Sequence, residues 1–165
     1  MSIREAKFSD SDDIRKVNEA AFGRPDEANL IDDLVAEDAV LLSLVAEVDD
    51  QIIGHILFSR MAIETPGESL PAVSLAPMAV MPEHQRREVG SELVRHGLRM
   101  LKTRGERIVI VLGHEHYYPR FGFSPEKARD LASPFPPEAY MALELTEGAL
   151  DGVRGAVCYA AAFGL

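Results

Sequence analysis

The sequence is short of most features that would set a chain apart from ordinary globular proteins. Among 165 residues there is one cysteine, Cys158, and no tryptophan. A single thiol makes no internal disulfide, which suits a reducing compartment. No apolar run reaches the roughly 18 residues that a membrane-spanning helix needs. The opening Met1-Ser2-Ile3-Arg4-Glu5-Ala6-Lys7 turns charged at once and has no apolar leader core, so a cytoplasmic protein is expected. Basic residues are also scarce, 17 against 27 acidic ones, for a net charge of −10. Such a surface repels a phosphate backbone and weakly attracts amines, so the expected partners include neither nucleic acid nor membrane.

What is present is enough for a single domain spanning residues 1–165. A chain of this size buries about 70% of its unfolded surface and needs no staples. Its apolar and charged fractions, 47% and 27%, are ordinary. Ile3 to Ala6 can start a strand. Ser9-Asp10-Ser11-Asp12 offers N-caps for a helix with Ile14, Val17 and Ala21 on one face, ended by Gly23. Pro25-Asp26-Glu27 opens a second helix carrying Leu30, Ile31, Leu34 and Val35.

Val40–Val48 and Gln51–Ile63 flank Asp49-Asp50 as a hairpin, and a third β run extends from Ala72 to Val80. Pro77 inside that run lacks a donor, which predicts an edge, a bulge or a break in pairing. Leu93, Val94, Gly97, Leu98 and Leu101 mark a helix over Val89–Thr103, and Ile108–Leu112 reads as a fully buried strand. Tyr140–Leu145 and Ala156–Phe163 are expected to close the sheet, with Cys158 as a small inert core residue.

The informative stretch is Leu75 to Gly90, where a strand runs into a loop holding Gln85, Arg86 and Arg87, and Gly90 opens an amphipathic helix. Helix-opening N–H groups lack intrahelical acceptors and carry the positive end of the dipole, so this is an anion site in outline. Successive loop amides can form a nest around phosphate oxygens, with Arg86 or Arg87 adding charge-assisted contacts. An ordinary strand-to-helix connection with a solvated arginine pair has the same residues.

The stretch resembles the cofactor motif of the GNAT superfamily of N-acetyltransferases: Gln or Arg, two residues, Gly, one residue, then Gly or Ala. Gln85 and Gly90 match its ends, while Glu88 stands in place of its first glycine. Downstream, Tyr117-Tyr118-Pro119-Arg120-Phe121-Gly122-Phe123 resembles the family's segment after the fifth strand. The order of elements, and the Leu75–Val80 and Gly155–Phe163 runs, look most like the YhbS-like branch.

The resemblance implies an α/β (α+β) fold with a mixed, mostly antiparallel central sheet, flanked by helices and splayed between its fourth and fifth strands. It implies direct transfer of acetyl from acetyl-CoA to a primary amine of a small molecule or protein. The implied cofactor-binding residues are Met78, Ala79, Val80, Gln85, Arg86, Arg87, Glu88, Val89, Gly90 and Ser91. Tyr118 matches the family's general acid by its distance from Gly122, with Tyr117 as the second choice. Glu27 and His114 are the candidates for deprotonating the amine, although Glu27 also reads as a plain first-turn acid. His114 and His116 lack further ligands, so no metal is expected. His55 reads as a hydrogen-bonded sheet residue. The resemblance also admits a homodimer.

Two other function classes stay open on the residues alone. One is a CoA-binding sensor module without turnover, for which Glu88 is the main support. The other is a partner-binding domain that keeps the fold without the cofactor.

Overall fold

β-Branched content and alternation make strands of three consecutive runs, and the computed structural model, which describes residues 1–165, places them at the centre of one sheet. β2 (Val40–Val48), β3 (Gln51–Glu64) and β4 (Ser69–Val80) form an antiparallel meander. Asp49 and Asp50 connect the first pair with φ of 51° and 63°, the left-handed backbone that a tight two-residue hairpin requires. β1 (Ser2–Glu5) pairs with β2, and β5 (Ile108–Leu112) lies parallel to β4 with β7 (Tyr140–Glu144) antiparallel beyond it. β8 (Gly155–Cys158) pairs with the far end of β3 and with the short β6 (Leu131–Ala132). Apart from β4–β5 and β6–β8, every pairing is antiparallel.

Helices cover both faces, as the strand alternation demands. α1 (Ser11–Phe22) and α2 (Asp26–Ala36) bury Ile14, Ile31 and Leu34 against Val45 and Leu57. α3 (Val89–Thr103) buries Leu93, Val94 and Leu101 against Leu42, Leu44 and Phe58, which point the other way. Gly97 lets α3 lie close, because the Phe58 ring fills the space that a Cβ would occupy. No helix is long and apolar enough to cross a membrane.

Pro77 sits in a bulge. Leu75 pairs with Phe58 and Met78 with Ile56, so Ala76 and Pro77 together oppose Leu57. On the other side, β4 pairs with β5 only through Val73–Val109, Ser74–Ile110 and Leu75–Val111. Beyond Leu75 the two strands part, which is the splay implied by the family resemblance.

Two expectations need correction. The last strand ends at Cys158 instead of Phe163, because its ladder with β3 stops at Ala62. The chain then turns towards α2, where the Ala162 amide bonds to Glu37 Oε1 at 2.8 Å. Cys158 is exposed rather than buried, since only alternate residues of this one-sided strand face inward and Val157 takes the inner position.

His55 is wholly buried on β3, facing α1. Its Nε2 lies 2.9 Å from Ser43 Oγ and its Nδ1 3.3 Å from Asn18 Nδ2. An amide donor at Nδ1 leaves the proton on Nε2, so the ring is neutral. Burial brings its pKa down from 6.5 to about 3. Between those values the unfolded chain binds a proton that the folded chain excludes. This contribution to stability is therefore complete above pH 6.5 and lost as pH falls, at about 1.4 kcal/mol per unit. Urea unfolding of wild type and His55→Gln from pH 7.5 downward is expected to show the gap between them closing at that rate below pH 6.5. Parallel curves would contradict a neutral, buried imidazole.

Candidate active site

The parting of β4 from β5 leaves the Ala76–Val80 edge of β4 without a partner on the β5 side. A short turn, Pro82–His84, then leads into the loop before α3, and the Gln85 side-chain amide ties that loop back to the Val80 carbonyl at 3.0 Å. Arg86 and Glu88 both adopt left-handed backbone, with φ of 63° and 66°. The first amide of α3 to find a helical acceptor is that of Glu92, which bonds to Glu88 O at 3.0 Å. Each amide from Arg86 to Ser91 therefore has no hydrogen-bond acceptor in the chain, from backbone or side chain. Left-handed residues interleaved in such a row turn successive N–H groups towards one point, the geometry of an anion nest. The dipole of α3 adds to the same field.

All of the residues from Arg86 to Ser91 except Arg87 border a cavity of about 680 Å³. Of the sequence-predicted cofactor residues, Met78, Ala79, Val80, Gln85, Arg86, Glu88, Val89, Gly90 and Ser91 line it, and Arg87 stands outside the wall in the same loop. Ala21 and Phe22 close one side from the end of α1, and His84, His114, Tyr117 and Arg120 complete the wall. Arg120 stacks over the Tyr117 ring, 4.5 Å from its centroid, and its Nε donates to Tyr117 O at 2.9 Å. Arg86, Arg87 and Arg120 all lack a carboxylate within 4.0 Å. In a protein of charge −10, that leaves unneutralised cations around one cavity.

The space at Gly90 is tight: a Cβ there would lie 3.3 Å from Met78 Cε and 3.4 Å from the Tyr117 hydroxyl, and the ends of those side chains would have to give by a few tenths of an ångström. Glu88 turns its side chain outward, 68% exposed, with a carboxylate oxygen 4.0 Å from Arg95. Its amide, and not its carboxylate, belongs to the nest.

The structure separates the remaining candidates. His114 is exposed on the cavity wall. Glu27 does not line the cavity; Arg24 holds it at 2.6 and 3.0 Å and lowers its pKa. A carboxylate so held is a poor proton acceptor, and its first-turn position on α2 accounts for it. Tyr117 brings its hydroxyl to the wall, 2.9 Å from Ser91 Oγ. Tyr118 is buried beside Gly113 at the end of β5 and does not line the cavity. Its ring meets Tyr117, Phe121 and Phe123, and its hydroxyl makes no hydrogen bond in the chain. Burial and the neighbouring Tyr117 push its phenol above the ordinary value. No group of three or more metal-ligating side chains is present.

Arg120, Ala21 and Phe22 were not read as site residues from the sequence. Arg120 was visible inside the aromatic segment after β5, but only the fold turns it towards the cavity. Nothing in α1 marks its last turn as a cavity wall.

A split sheet with an amide nest at the start of the following helix defines an acyl-CoA type of fold, and the comparisons with known proteins give the family. Residues 2–125 match the acetyltransferase (GNAT) domain, and the chain belongs to that family. It is 41% identical to the uncharacterized N-acetyltransferase YjhQ of Escherichia coli (strain K12) over 135 residues, covering 79% of this chain and 75% of that one. It is 34% identical to the uncharacterized N-acetyltransferase YhbS of the same strain over 162 residues, 96% of both chains. Among solved structures, Escherichia coli YhbS in complex with CoA superposes with a TM-score of 0.92 at 33% identity, covering 99% of this chain and 92% of that one. A GNAT family acetyltransferase from Brucella melitensis in complex with acetyl-CoA gives 0.82 at 35%, covering 98% and 97%.

Left-handed backbone costs a side chain about 1–2 kcal/mol, and glycine avoids that cost. Glu88→Gly is expected to be about 1 kcal/mol more stable to urea than Glu88→Ala, which keeps a Cβ. Equal stability of the two variants would show that the backbone at position 88 is not held left-handed.

Proposed function

We propose that the chain moves an acetyl group from acetyl-CoA to a primary amine by direct transfer. The observation that carries this reading is the row of unpartnered amides from Arg86 to Ser91, set on a cavity beside the free edge of β4. A pyrophosphate supplies the acceptor oxygens and negative charge that those amides, Arg86 and Arg120 lack. The amides of a pantetheine arm suit the unpaired Met78–Val80 edge, in the manner of an added strand. The ligands named for the YhbS and Brucella melitensis structures, CoA and acetyl-CoA, support the same assignment. Glu88 places one exposed carboxylate near the nest, a repulsion of only about 1 kcal/mol in water, so it does not argue for a binding-only module.

The cofactor supplies an activated thioester. In the reaction the amine nitrogen bonds to the acetyl carbon and the carbon–sulfur bond breaks. An alkylammonium first loses a proton, and His114, which lines the cavity, takes it directly or through water. A backbone N–H on the free edge of β4 can hold the carbonyl oxygen as its charge develops. The departing thiolate takes a proton from Tyr118, the tyrosine at the family's spacing from Gly122, whose hydroxyl is uncommitted within the chain. Its ring lies behind the cavity wall and burial makes its phenol a weaker acid; the proton that the nitrogen sheds as the amide forms restores the phenol. A second reading gives that role to Tyr117, because its hydroxyl is the one at the wall.

Tyr118→Phe is expected to slow thiol release by on the order of 100-fold and leave the calorimetric affinity for acetyl-CoA within twofold. If Tyr117→Phe carries that loss and Tyr118→Phe does not, the second reading replaces the first. Absence of binding heat with both CoA and acetyl-CoA would remove the proposed function.

A further inference from the structure

Arg120 enters the cofactor cavity from a different segment than the amide row, and its charge is unspent. Its Nε donates to Tyr117 O at 2.9 Å and its Nη2 to His116 O at 3.5 Å, while its Cζ stands 4.5 Å from the centre of the Tyr117 ring. These contacts fix one edge and one face of the guanidinium. A guanidinium has five N–H donors, so three remain, on the terminal Nη1 and Nη2 fork that matches a phosphate. No carboxylate lies within 4.0 Å of it. The other guanidinium on this aromatic segment is already paired: Arg95 lies over the Phe121 ring and bonds to Glu92 at 3.2 Å.

Tyr117 gives the fork its place. The phenol hydroxyl lies 2.9 Å from Oγ of Ser91, the last residue of the amide row. The guanidinium stacks on the same ring, so the row and Arg120 are one phenol ring apart. On the near side of that ring, the amides of the row and Arg86 answer a diphosphate without help. CoA carries one phosphate more, a monoester on the 3′ oxygen of its ribose, and a sugar ring separates it from the diphosphate.

We propose that Arg120 recognises the 3′-phosphate of CoA, and so sets the preference of this protein for CoA over its 3′-dephosphorylated form. The inference rests on the acetyl-transfer reading above and adds to it a residue that selects among cofactor forms. A guanidinium in contact with the monoester favours the dianion and pulls its second ionisation below the ordinary value of about 6.

Calorimetry with CoA and 3′-dephospho-CoA tests the assignment. Wild type is expected to bind CoA about tenfold more tightly. Arg120→Met, which keeps an unbranched stem over Tyr117, brings the two ligands within about twofold by weakening CoA alone. Arg86→Met weakens both alike. Equal binding of the two ligands by wild type would overturn the proposal. An equal loss for both in Arg120→Met would also overturn it, and would give Arg120 to the diphosphate. A ³¹P NMR pH titration of the CoA complex supplies a readout that repacking of Tyr117 does not imitate. The 3′-phosphate is expected to titrate at lower pH in the wild-type complex than in free CoA, and at the free value with Arg120→Met. An unshifted titration in the wild-type complex contradicts the contact. Failure of both ligands to bind would instead remove the acetyl-transfer reading, and this assignment with it.

Discussion

A backbone amide cannot serve a helix and a ligand at once, and in this chain the amides from Arg86 to Ser91 serve no helix. Unpaired N–H groups are costly when buried and are held in a row only where the surrounding structure fixes them. Here Gln85 ties the loop to the end of β4, left-handed turns at Arg86 and Glu88 bend it, and the buried first turn of α3 anchors its far end. The field of these groups is reinforced by arginines that no carboxylate neutralises. Everything proposed for the site follows from what such a row attracts.

The rest of the fold keeps that row beside an open strand edge. The bulge at Ala76-Pro77 and the end of the β4–β5 ladder at Leu75 occur at the same level of the sheet, so β4 presents a free edge as it approaches the loop. Gly97 and Phe58 bring α3 down onto β3, and Gly90 leaves the start of α3 clear of Met78 and the Tyr117 hydroxyl. Small residues thus set the distances, while the long meander of β2, β3 and β4 supplies rigidity. The surface is acidic, yet the cavity is locally cationic, so net charge alone says little about what this site binds.

Much of this was legible in the sequence, for identifiable reasons. Helical spacing in Val89–Thr103, the unbroken apolar run Ile108–Leu112 and the Asp49-Asp50 turn each carry a local signal strong enough to survive packing. Pro77 announced a fault in pairing because it lacks a donor, although its partners decide whether the fault is a bulge or a break. The ends of elements were less readable. The run after Ala156 looks strand-like in composition, but its ladder stops at Ala62, before β2 takes the same edge of β3 at Ser59, and Cys158 faces outward because β8 has only one covered face. The family pattern pointed to Tyr118 by spacing, whereas the fold put Tyr117 on the wall and Tyr118 in the aromatic core beneath it. Glu27 stands out by its place in the chain, but an arginine three residues away holds its carboxylate. Arg120 needed the three-dimensional turn after β5 before it could be seen as part of the cavity.

The central claim is that the amides from Arg86 to Ser91 are the ones that receive the cofactor's phosphates. Titrating ¹⁵N-labelled protein with CoA and following the backbone amide resonances tests this directly. The account predicts that the largest downfield shifts fall on Arg86 to Ser91. CoA binding that leaves these resonances in place and moves those of another segment would contradict it.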